Sequence, residues 1–406
     1  MRTPLTVAVC NELSWETIPP GRVEKLANGK RKQHYQHDFF NYSRLARSVS
    51  LFACPRYFVE DITVVTDVKG ADGIVKVQLK TNTDIVDRAV KVEILDEASQ
   101  IVAESEHTGG EKQELELRIK SARLWQPGNA YLYTLRIEIW DMDSMIDMYE
   151  LPLGVRTVKV DKSKFLINDK PFYFTGFGKH EDSTLRGKGF DPVTMIHNFN
   201  LMARVLQRGN KKYTRATYPR TGCAEEGVRE YFEPLVSLTR LLDPTRPICF
   251  TNMLHATVDT DRITDLFDVI ALNRYYGWYT QTSDLEAAEK ALQADLERWA
   301  AKYNKPIFMT EYGADAQAGL HAICDVPWSE EYQADFLEMF HRVFDLVESV
   351  VGEHVWSFAD FQCTSTIMRV DGNKKGVFTR DRRPKSAAQV LKRRWKQGPR
   401  KVLALE

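Results

Sequence analysis

The sequence predicts a multidomain β and α/β protein, in which an all-β module precedes an α/β module. Between about residues 57 and 160, short runs alternate apolar and polar residues, with turn signals between the runs. Alternation with a period of two is typical of strands in an antiparallel sandwich. After residue 164, short apolar runs alternate with helical stretches instead. This second pattern indicates a parallel sheet covered by helices, for which a β/α barrel is the natural candidate.

The alternation predicts five sandwich strands, at residues 61–66, 74–79, 90–95, 114–119 and 131–139. Five strands of the parallel sheet are expected at 172–176, 246–252, 267–273, 306–310 and 354–358. Apolar residues at helical spacing predict one helix over 284–303 with Asp284 as its N-cap, and another after Ser329. An amphipathic helix with a basic, solvated face is expected within residues 380–401.

Residues 1–55 have the character of the end of a β domain. They open with a strand-like run at 5–10 that has little before it to pair with. The polar and aromatic segment 33–42 is expected to be a loop. We therefore expect a remnant of a domain here and not a whole one.

The expected barrel is too short to be complete. A full barrel uses roughly 250 residues for eight units, or about 31 residues each. If Phe172 begins the first strand and Pro306 the seventh, the 134 residues between them hold about four units where six are needed. Part of the barrel is therefore expected to be missing.

Composition excludes several classes of function. The chain has 56 basic and 56 acidic residues, and this balance argues against nucleic acid as the main partner. Six scattered cysteines without a CxxC pair predict neither a disulfide framework nor a structural metal. Phosphate-loop, dinucleotide, nucleophile-elbow and HExxH motifs are absent, so no cofactor is expected. No apolar run approaches the ~20 residues that span a bilayer, and no secretory signal is visible, so a soluble cytoplasmic protein is expected.

One carboxylate stands at the end of a predicted parallel strand. Residues 305–315 contain an apolar run that ends in Glu311, followed by Tyr312 and Gly313. In a β/α barrel, side chains at the carboxyl ends of strands point into the active site. An ionised Glu there can attack an anomeric carbon or activate water. The alternatives are that Glu311 caps the next helix or pairs with a basic neighbour.

Aromatic, amide and acidic side chains follow the neighbouring predicted strands. They include His180 after the first strand, Asn273, Tyr275 and Tyr279 after the third, and Trp356 in the last. Sugar rings stack on aromatic faces, and their hydroxyls need donors and acceptors. Beyond the last strand, a loop with Arg369, Asn373 and Lys375 could hold a carboxylate through charge-assisted bonds. Together these residues favour a carbohydrate site.

These residues resemble the β-glucuronidases of glycoside hydrolase family 2. The likeness covers most of the chain except about residues 203–223, and it is carried by residues 11–20, 37–42, 124–128, 172–190, 265–279, 310–313 and 372–376. It implies a jelly-roll remnant at 1–55, an immunoglobulin-like sandwich at 56–160, and a TIM-barrel catalytic domain at 161–406. The domain boundaries follow the changes of pattern described above.

The resemblance also implies roles for individual residues. Glu311 matches the nucleophile, and Asn373 and Lys375 match the pair that reads the glucuronate carboxylate. Seven further residues match the pocket around the sugar ring: Asp38, His180, Asn273, Tyr275, Tyr279, Trp356 and Arg369. The implied substrates are terminal β-D-glucuronosides on small molecules or glycans, and a homo-oligomer is possible.

The chain departs from the family where the acid/base residue should be. The family carries this Glu in an Asn-Glu-Pro motif at the end of strand 4, and the motif is absent from this sequence. Strands 2–4 are expected to be absent or damaged, and residues 213–219 are interpreted as a degraded remnant of strand 2. Glu225 and Glu226 are candidates to replace the acid/base residue. We therefore expect impaired hydrolysis, a non-catalytic relative that binds glucuronides or forms an oligomer, or an incomplete protein that folds poorly.

Overall fold

We describe the protein from a computed structural model. The described residues are 6–206 apart from 36 and 44, and 227–398 apart from 255. The chain forms two compact units. One is made of Ser50–Phe172 with Glu233–Ile248, and the other of Met1–Val49, Tyr173–Phe232 and Cys249–Glu406.

The N-terminal residues contribute a small hairpin and irregular structure. Strands β1 (Gly21–Lys25) and β2 (Arg31–Tyr35) pair antiparallel. The strand expected at 5–10 is wrong for its described residues 6–10, which have no regular structure. The loop expected at 33–42 is wrong at its start, because β2 extends to Tyr35.

The first unit contains a β-sandwich of two antiparallel sheets. Its strands are β3 (Val59–Lys69), β4 (Asp72–Thr81), β5 (Ala89–Leu95), β6 (Ile101–Thr108), β7 (Lys112–Ile119), β8 (Tyr133–Asp141) and β9 (Ser144–Leu153). One sheet has the order β3-β4-β7 and the other β6-β5-β8-β9. Alternate apolar side chains from both sheets form a single core that includes Val77, Val92 and Ile137. Three short strands follow, β10 (Val158–Asp161), β11 (Lys164–Ile167) and β12 (Lys170–Pro171).

The second unit is built on a parallel sheet. Its strands are β13 (Phe174–Gly178), β14 (Cys249–Asn252), β15 (Val269–Asn273), β16 (Ile307–Tyr312) and β17 (Val350–Trp356). Their spatial order is β13-β17-β16-β15-β14, so the first strand along the chain pairs with the last. Within the described residues, β13 and β14 are the edges of this sheet.

Five helices accompany the parallel strands in the described chain. They are α1 (Pro192–Leu206), α2 (Val228–Leu242), α3 (Leu285–Tyr303), α4 (Glu330–Leu346) and α5 (Ala387–Gln397). Asp284 caps α3 by accepting from the Ala287 amide, and Ser329 caps α4 by accepting from the Tyr332 amide. In the described parts of the chain, no helix is long and apolar enough to cross a membrane.

Candidate active site

Glu311 lies near the end of β16, in the middle of the parallel sheet. Its side chain is 2% exposed, and its Oε2 accepts a 2.6 Å hydrogen bond from the Tyr275 hydroxyl. Asn273, the last residue of β15, is its register partner on the neighbouring strand. Parallel strands end at the same edge of a sheet, so this pairing brings an amide and a carboxylate together.

The amide of Asn273 is oriented by the same strand that carries Glu311. Thr310 Oγ1 donates to Asn273 Oδ1 at 2.7 Å and also to the Leu272 carbonyl at 3.1 Å. Because Oδ1 is engaged as an acceptor, the Nδ2 group of Asn273 is the part available to donate. A donor beside a buried carboxylate suits recognition of a sugar hydroxyl.

Asn373 and Lys375 lie in a tightly held loop after β17. Asn373 is fully buried; its Nδ2 donates to Asp38 Oδ2 at 2.8 Å, and its Oδ1 accepts from the Lys375 amide at 3.0 Å. The Lys375 ammonium, also buried, binds Asp315. It lies 4.8 to 5.7 Å from the ring centroids of the three aromatic residues Tyr275, Trp278 and Tyr279. The cation is therefore held by one carboxylate and a cage of aromatic faces.

Arg369 contacts both Asp38 and Asp315. Its guanidinium reaches both Asp38 oxygens at 3.2 Å, Asp315 Oδ2 at 3.4 Å and the Tyr279 hydroxyl at 2.9 Å. Burial alone would lower the pKa of Arg369, but Asp315, Tyr279 and Asp38 raise it, so it stays charged. Burial would raise the pKa of the half-exposed Asp38, but Arg369, Asn373 and Lys375 lower it overall.

Aromatic rings form one wall beside β13 and β17. The His180 ring packs against Trp356 at 5.2 Å, Phe361 at 4.3 Å and Phe39 at 5.3 Å between centroids. Burial lowers the pKa of His180 to about 4, so the ring is neutral near neutral pH. A neutral imidazole both donates and accepts hydrogen bonds.

A second pair of charges, Asp360 and Lys385, also holds the Asn373–Gly376 segment. Lys385 Nζ donates to the Lys374 carbonyl at 2.8 Å, to Ala316 O at 2.7 Å and to Asp360 Oδ1 at 2.9 Å. The same Asp360 oxygen accepts from the Gly376 amide at 2.9 Å. Burial raises the pKa of Asp360 to about 6, although Lys385 opposes this shift, and burial also lowers the pKa of Lys385.

The structure brings the ten residues singled out from the sequence into one unit. Eight are connected by the contacts above: Asp38, Tyr275, Tyr279, Glu311, Arg369, Asn373 and Lys375, with Asn273 as the register partner of Glu311. His180 and Trp356 are connected by their ring contact. Sequence reasoning missed Asp315, Asp360 and Lys385. Asp315 lies only four residues after Glu311, and a second acid beside a strand end was a signal that could have identified it.

Two family matches cover most of the chain. Residues 57–156 match Glycosyl hydrolases family 2, and residues 158–221 and 222–398 match Glycosyl hydrolases family 2, TIM barrel domain. The chain belongs to glycosyl hydrolase family 2. The expected fold class, a sandwich domain with a TIM-barrel domain, is thereby confirmed, as is the assignment of the chain to the glycosidases.

The family-2 chain is similar to several β-glucuronidases over nearly its whole length. It is 37% identical to a β-glucuronidase of Paenibacillus borealis, over 96% of this chain and 77% of the relative. A solved β-glucuronidase of Lactobacillus rhamnosus has a TM-score of 0.88 at 34% identity, covering 95% of this chain and 76% of that one. The β-glucuronidase of Ruminococcus gnavus in complex with D-glucuronic acid has a TM-score of 0.87 at 35% identity, with the same coverage.

Proposed function

We propose that this family-2 protein binds terminal β-D-glucuronosides and that Glu311 is its nucleophile. The observation that carries the proposal is the connection between two subsites through Tyr275. Its hydroxyl donates to Glu311, and its ring lies 5.7 Å from the Lys375 ammonium. A glucuronyl ring placed here can present its anomeric carbon to the Glu311 carboxylate. The carboxylate of the sugar can at the same time contact the Lys375 ammonium.

The charged groups near Lys375 suit a sugar acid better than a neutral sugar. Asn373 offers an amide, and Lys375 and Arg369 offer an ammonium and a guanidinium, which bind carboxylates through charge-assisted hydrogen bonds. Similarity to a β-glucuronidase solved with D-glucuronic acid supports the same assignment. A neutral glucoside would leave these largely buried cations without the extra acceptor.

The proposed reaction begins with attack of a Glu311 carboxylate oxygen on the anomeric carbon. A bond forms between that oxygen and the carbon, the glycosidic C–O bond breaks, and its electron pair leaves with the aglycone oxygen. The Tyr275 hydroxyl and the amide of Asn273 position the carboxylate and the ring. Water then attacks the glycosyl–enzyme ester and releases the Glu311 carboxylate.

The proposed reaction lacks an identified general acid, which is the second carboxyl that a retaining glycosidase uses. No Asn-Glu-Pro motif occurs in the sequence. Asp38 is a poor general acid because its pKa is lowered and it stays ionised near neutral pH. Asp315 is already bound to Lys375 and Arg369. The candidate replacements Glu225 and Glu226, and the strand-2 remnant at 213–219, lie outside the described residues.

Two features of the comparisons support a shortened barrel. The TIM-barrel match is interrupted between residues 221 and 222. The alignment with the Paenibacillus relative extends over 466 positions, although it uses only 96% of a 406-residue chain. The relative therefore contributes residues that have no counterpart here. Loss of general acid help typically costs about 10²–10⁴-fold, so we expect turnover only of substrates with good leaving groups.

Hydrolysis of an aryl β-glucuronide with a good leaving group tests the proposal, with and without azide. Azide attacks the anomeric carbon of the glycosyl–enzyme without needing a general base, and it displaces the Glu311 carboxylate. We expect azide-stimulated release of the phenol and a β-glucuronosyl azide product. Both should disappear in Glu311→Ala and persist in the matched variant Glu348→Ala, whose carboxylate is exposed.

The second candidate function, glucuronide binding without turnover, is favoured by the absent Asn-Glu-Pro motif. Calorimetric titration with D-glucuronic acid separates the two. Binding without any azide-stimulated turnover would overturn the enzymatic proposal and leave the binding protein. A folded protein that neither binds D-glucuronic acid nor shows azide-stimulated turnover would rule out both the enzyme and the binding protein.

A further inference from the structure

A charged cleft lies between the end of β13 and the start of α1. Its lining includes Arg47, Lys179, Glu181, Asp182, Asp191 and Arg382. We call it the Lys179 cleft. None of the ten residues of the candidate active site lines it, so its chemistry is not explained by the proposed function.

Lys179 is the first residue after β13, and its side chain is partly buried. Within the described residues, no hydrogen bond or ion pair to its ammonium is recorded. Burial, with the nearby positive charges of Arg382 and Arg47 and against the attraction of Asp182, lowers its pKa to about 8. The cleft therefore contains a cation whose charge no contact neutralises.

Arg382 adds a second cation whose contacts are all with neutral groups. Its guanidinium, almost completely buried, donates to Asn198 Oδ1 at 2.7 Å, to the Asp182 carbonyl at 2.6 Å and to the Arg380 carbonyl. These bonds use three of its five N–H donors and fix its position, but they supply no counter-charge. Arg382 therefore contributes an electrostatic field to the cleft.

The carboxylates of the three acids that line the cleft contact groups other than Lys179 and Arg382. Glu181 pairs with Arg47, and Asp182 pairs with Arg380 at 2.7 Å. Asp191 caps α1, accepting from the amides of Val193 and Thr194 and from the Thr194 hydroxyl. Asp191 is not among the groups whose charge raises the pKa of Lys179. Two positive charges in the cleft thus remain without a direct partner in the described structure.

We propose that the Lys179 cleft binds a small oxyanion, with the Lys179 ammonium as its direct donor. An unpaired cation removed from water is costly, and an anion in contact with it relieves that cost through charge-assisted bonds. The Lys179 ammonium has three N–H donors to offer, whereas Arg382 has already used three of its five and acts mainly through its charge. Phosphate and sulfate share the required chemistry, and inorganic phosphate serves as the probe.

Competitive acetylation of the lysines, read residue by residue by mass spectrometry, measures occupancy of the cleft. Bound phosphate stabilises the charged form of the Lys179 amine, so the amine reacts more slowly. We expect phosphate to slow acetylation of Lys179 several-fold, against chloride at equal ionic strength. Lys290, an exposed lysine on α3 paired with Glu286, should react at an unchanged rate. Equal effects at both lysines, or none at Lys179, would overturn the proposal.

Variants separate the cleft from the candidate active site. Phosphate should raise the thermal midpoint of the wild type and of Lys290→Met, but not that of Lys179→Met. The increase should persist in Lys375→Met, which removes the ammonium of the proposed carboxylate subsite. If it disappears in Lys375→Met and remains in Lys179→Met, phosphate binds at the active site and the cleft is not an anion site. The acetylation experiment needs no variant, so it decides the question even if Lys179→Met fails to fold.

Discussion

The Asp315 carboxylate and the Lys375 ammonium form an ion pair in which both side chains are almost completely buried. Arg369 also contacts Asp315, and the Asp315 Oδ1 accepts from the Lys374 amide at 2.8 Å. The acid therefore holds both the backbone and the cation of the proposed carboxylate subsite. Replacement of either partner should affect stability as well as recognition.

Lys375→Met should weaken binding of D-glucuronic acid by roughly tenfold to a hundredfold, since hydrogen bonds to charged groups contribute about 1.5–3 kcal/mol. It should also lower the free energy of unfolding by about 3 kcal/mol, because Asp315 loses its main counter-charge while buried. Urea unfolding and calorimetry measure the two effects. The double variant Asp315→Asn/Lys375→Met should recover most of the stability and none of the affinity. Recovery of neither would contradict the ion-pair explanation.

Tyr275→Phe should move the acid limb of the activity profile to higher pH. The variant removes the 2.6 Å hydrogen bond to Glu311, and an ionised carboxylate that loses a donor is protonated more easily. The measurement is azide-stimulated turnover of the activated aryl glucuronide across pH. Tyr276→Phe is the matched control, because the neighbouring hydroxyl bonds to Asp295 instead. Superimposable profiles for the two variants would show that Tyr275 does not act through Glu311.

Asp38→Asn should increase the preference of the site for a sugar acid over a neutral sugar. The Asp38 carboxylate contacts Asn373 and Arg369, two of the groups proposed to read the substrate's carboxylate. Its removal leaves more positive charge for the ligand. The ratio of affinities for D-glucuronic acid and D-glucose, measured by calorimetry, reports the change. Asp259→Asn, which removes an exposed carboxylate paired with Arg298, should leave the ratio unaltered. A lower ratio in Asp38→Asn would show that its charge does not compete with the ligand.

Stability should depend on pH through His354 and Asp360 with opposite signs. Burial lowers the pKa of His354 from 6.5 to about 4. The unfolded chain therefore takes up the proton first, and stability is lost as pH falls from 6.5 towards 4. This loss amounts to roughly 2 kcal/mol by about pH 5. Burial raises the pKa of Asp360 from 3.8 to about 6, so its contribution is present at low pH and is lost as pH rises through about 6.

Urea unfolding at about pH 7 and about pH 5 tests the contributions of His354 and Asp360 to stability. His354→Gln should lose less stability on acidification than the wild type, because it has no imidazole to protonate. Asp360→Asn should lose more, because it lacks the carboxyl that gains stability on protonation. A change of the same sign in both variants would contradict the assignment.

Elements with strong local signals could be predicted from the sequence. The N-caps Asp284 and Ser329 stand directly before helices α3 and α4. In α5, the apolar residues Ala388, Val390, Leu391 and Trp395 are buried as their helical spacing indicates. Capping and periodicity are properties of neighbouring residues, so they are visible without the tertiary fold.

Other elements depend on contacts that the sequence does not display. Strands β6 and β9 were missed because few of their side chains are buried, so the alternation of apolar and polar residues is weak there. The last strand was expected to begin at His354, but β17 begins at Val350 and includes the buried Glu353. Arg394, Trp395 and Tyr173 bind that carboxylate from distant parts of the chain. The ion-pair partners of Asp315 and Asp360 are likewise hidden in the sequence, because Lys375 and Lys385 lie 60 and 25 residues away from them.

The spatial order of the parallel sheet places the candidate site on interior strands. Asn273, Glu311 and Trp356 lie on β15, β16 and β17, each of which has a strand on both sides. The segment between β13 and β14 joins only the two edges of the described sheet. Natural changes of length in that segment therefore fall on the borders of the scaffold. A gene could lose or gain sequence there while the residues proposed to bind the sugar acid remain on interior strands, and we therefore expect changes in that segment to alter the proposed turnover before the proposed recognition.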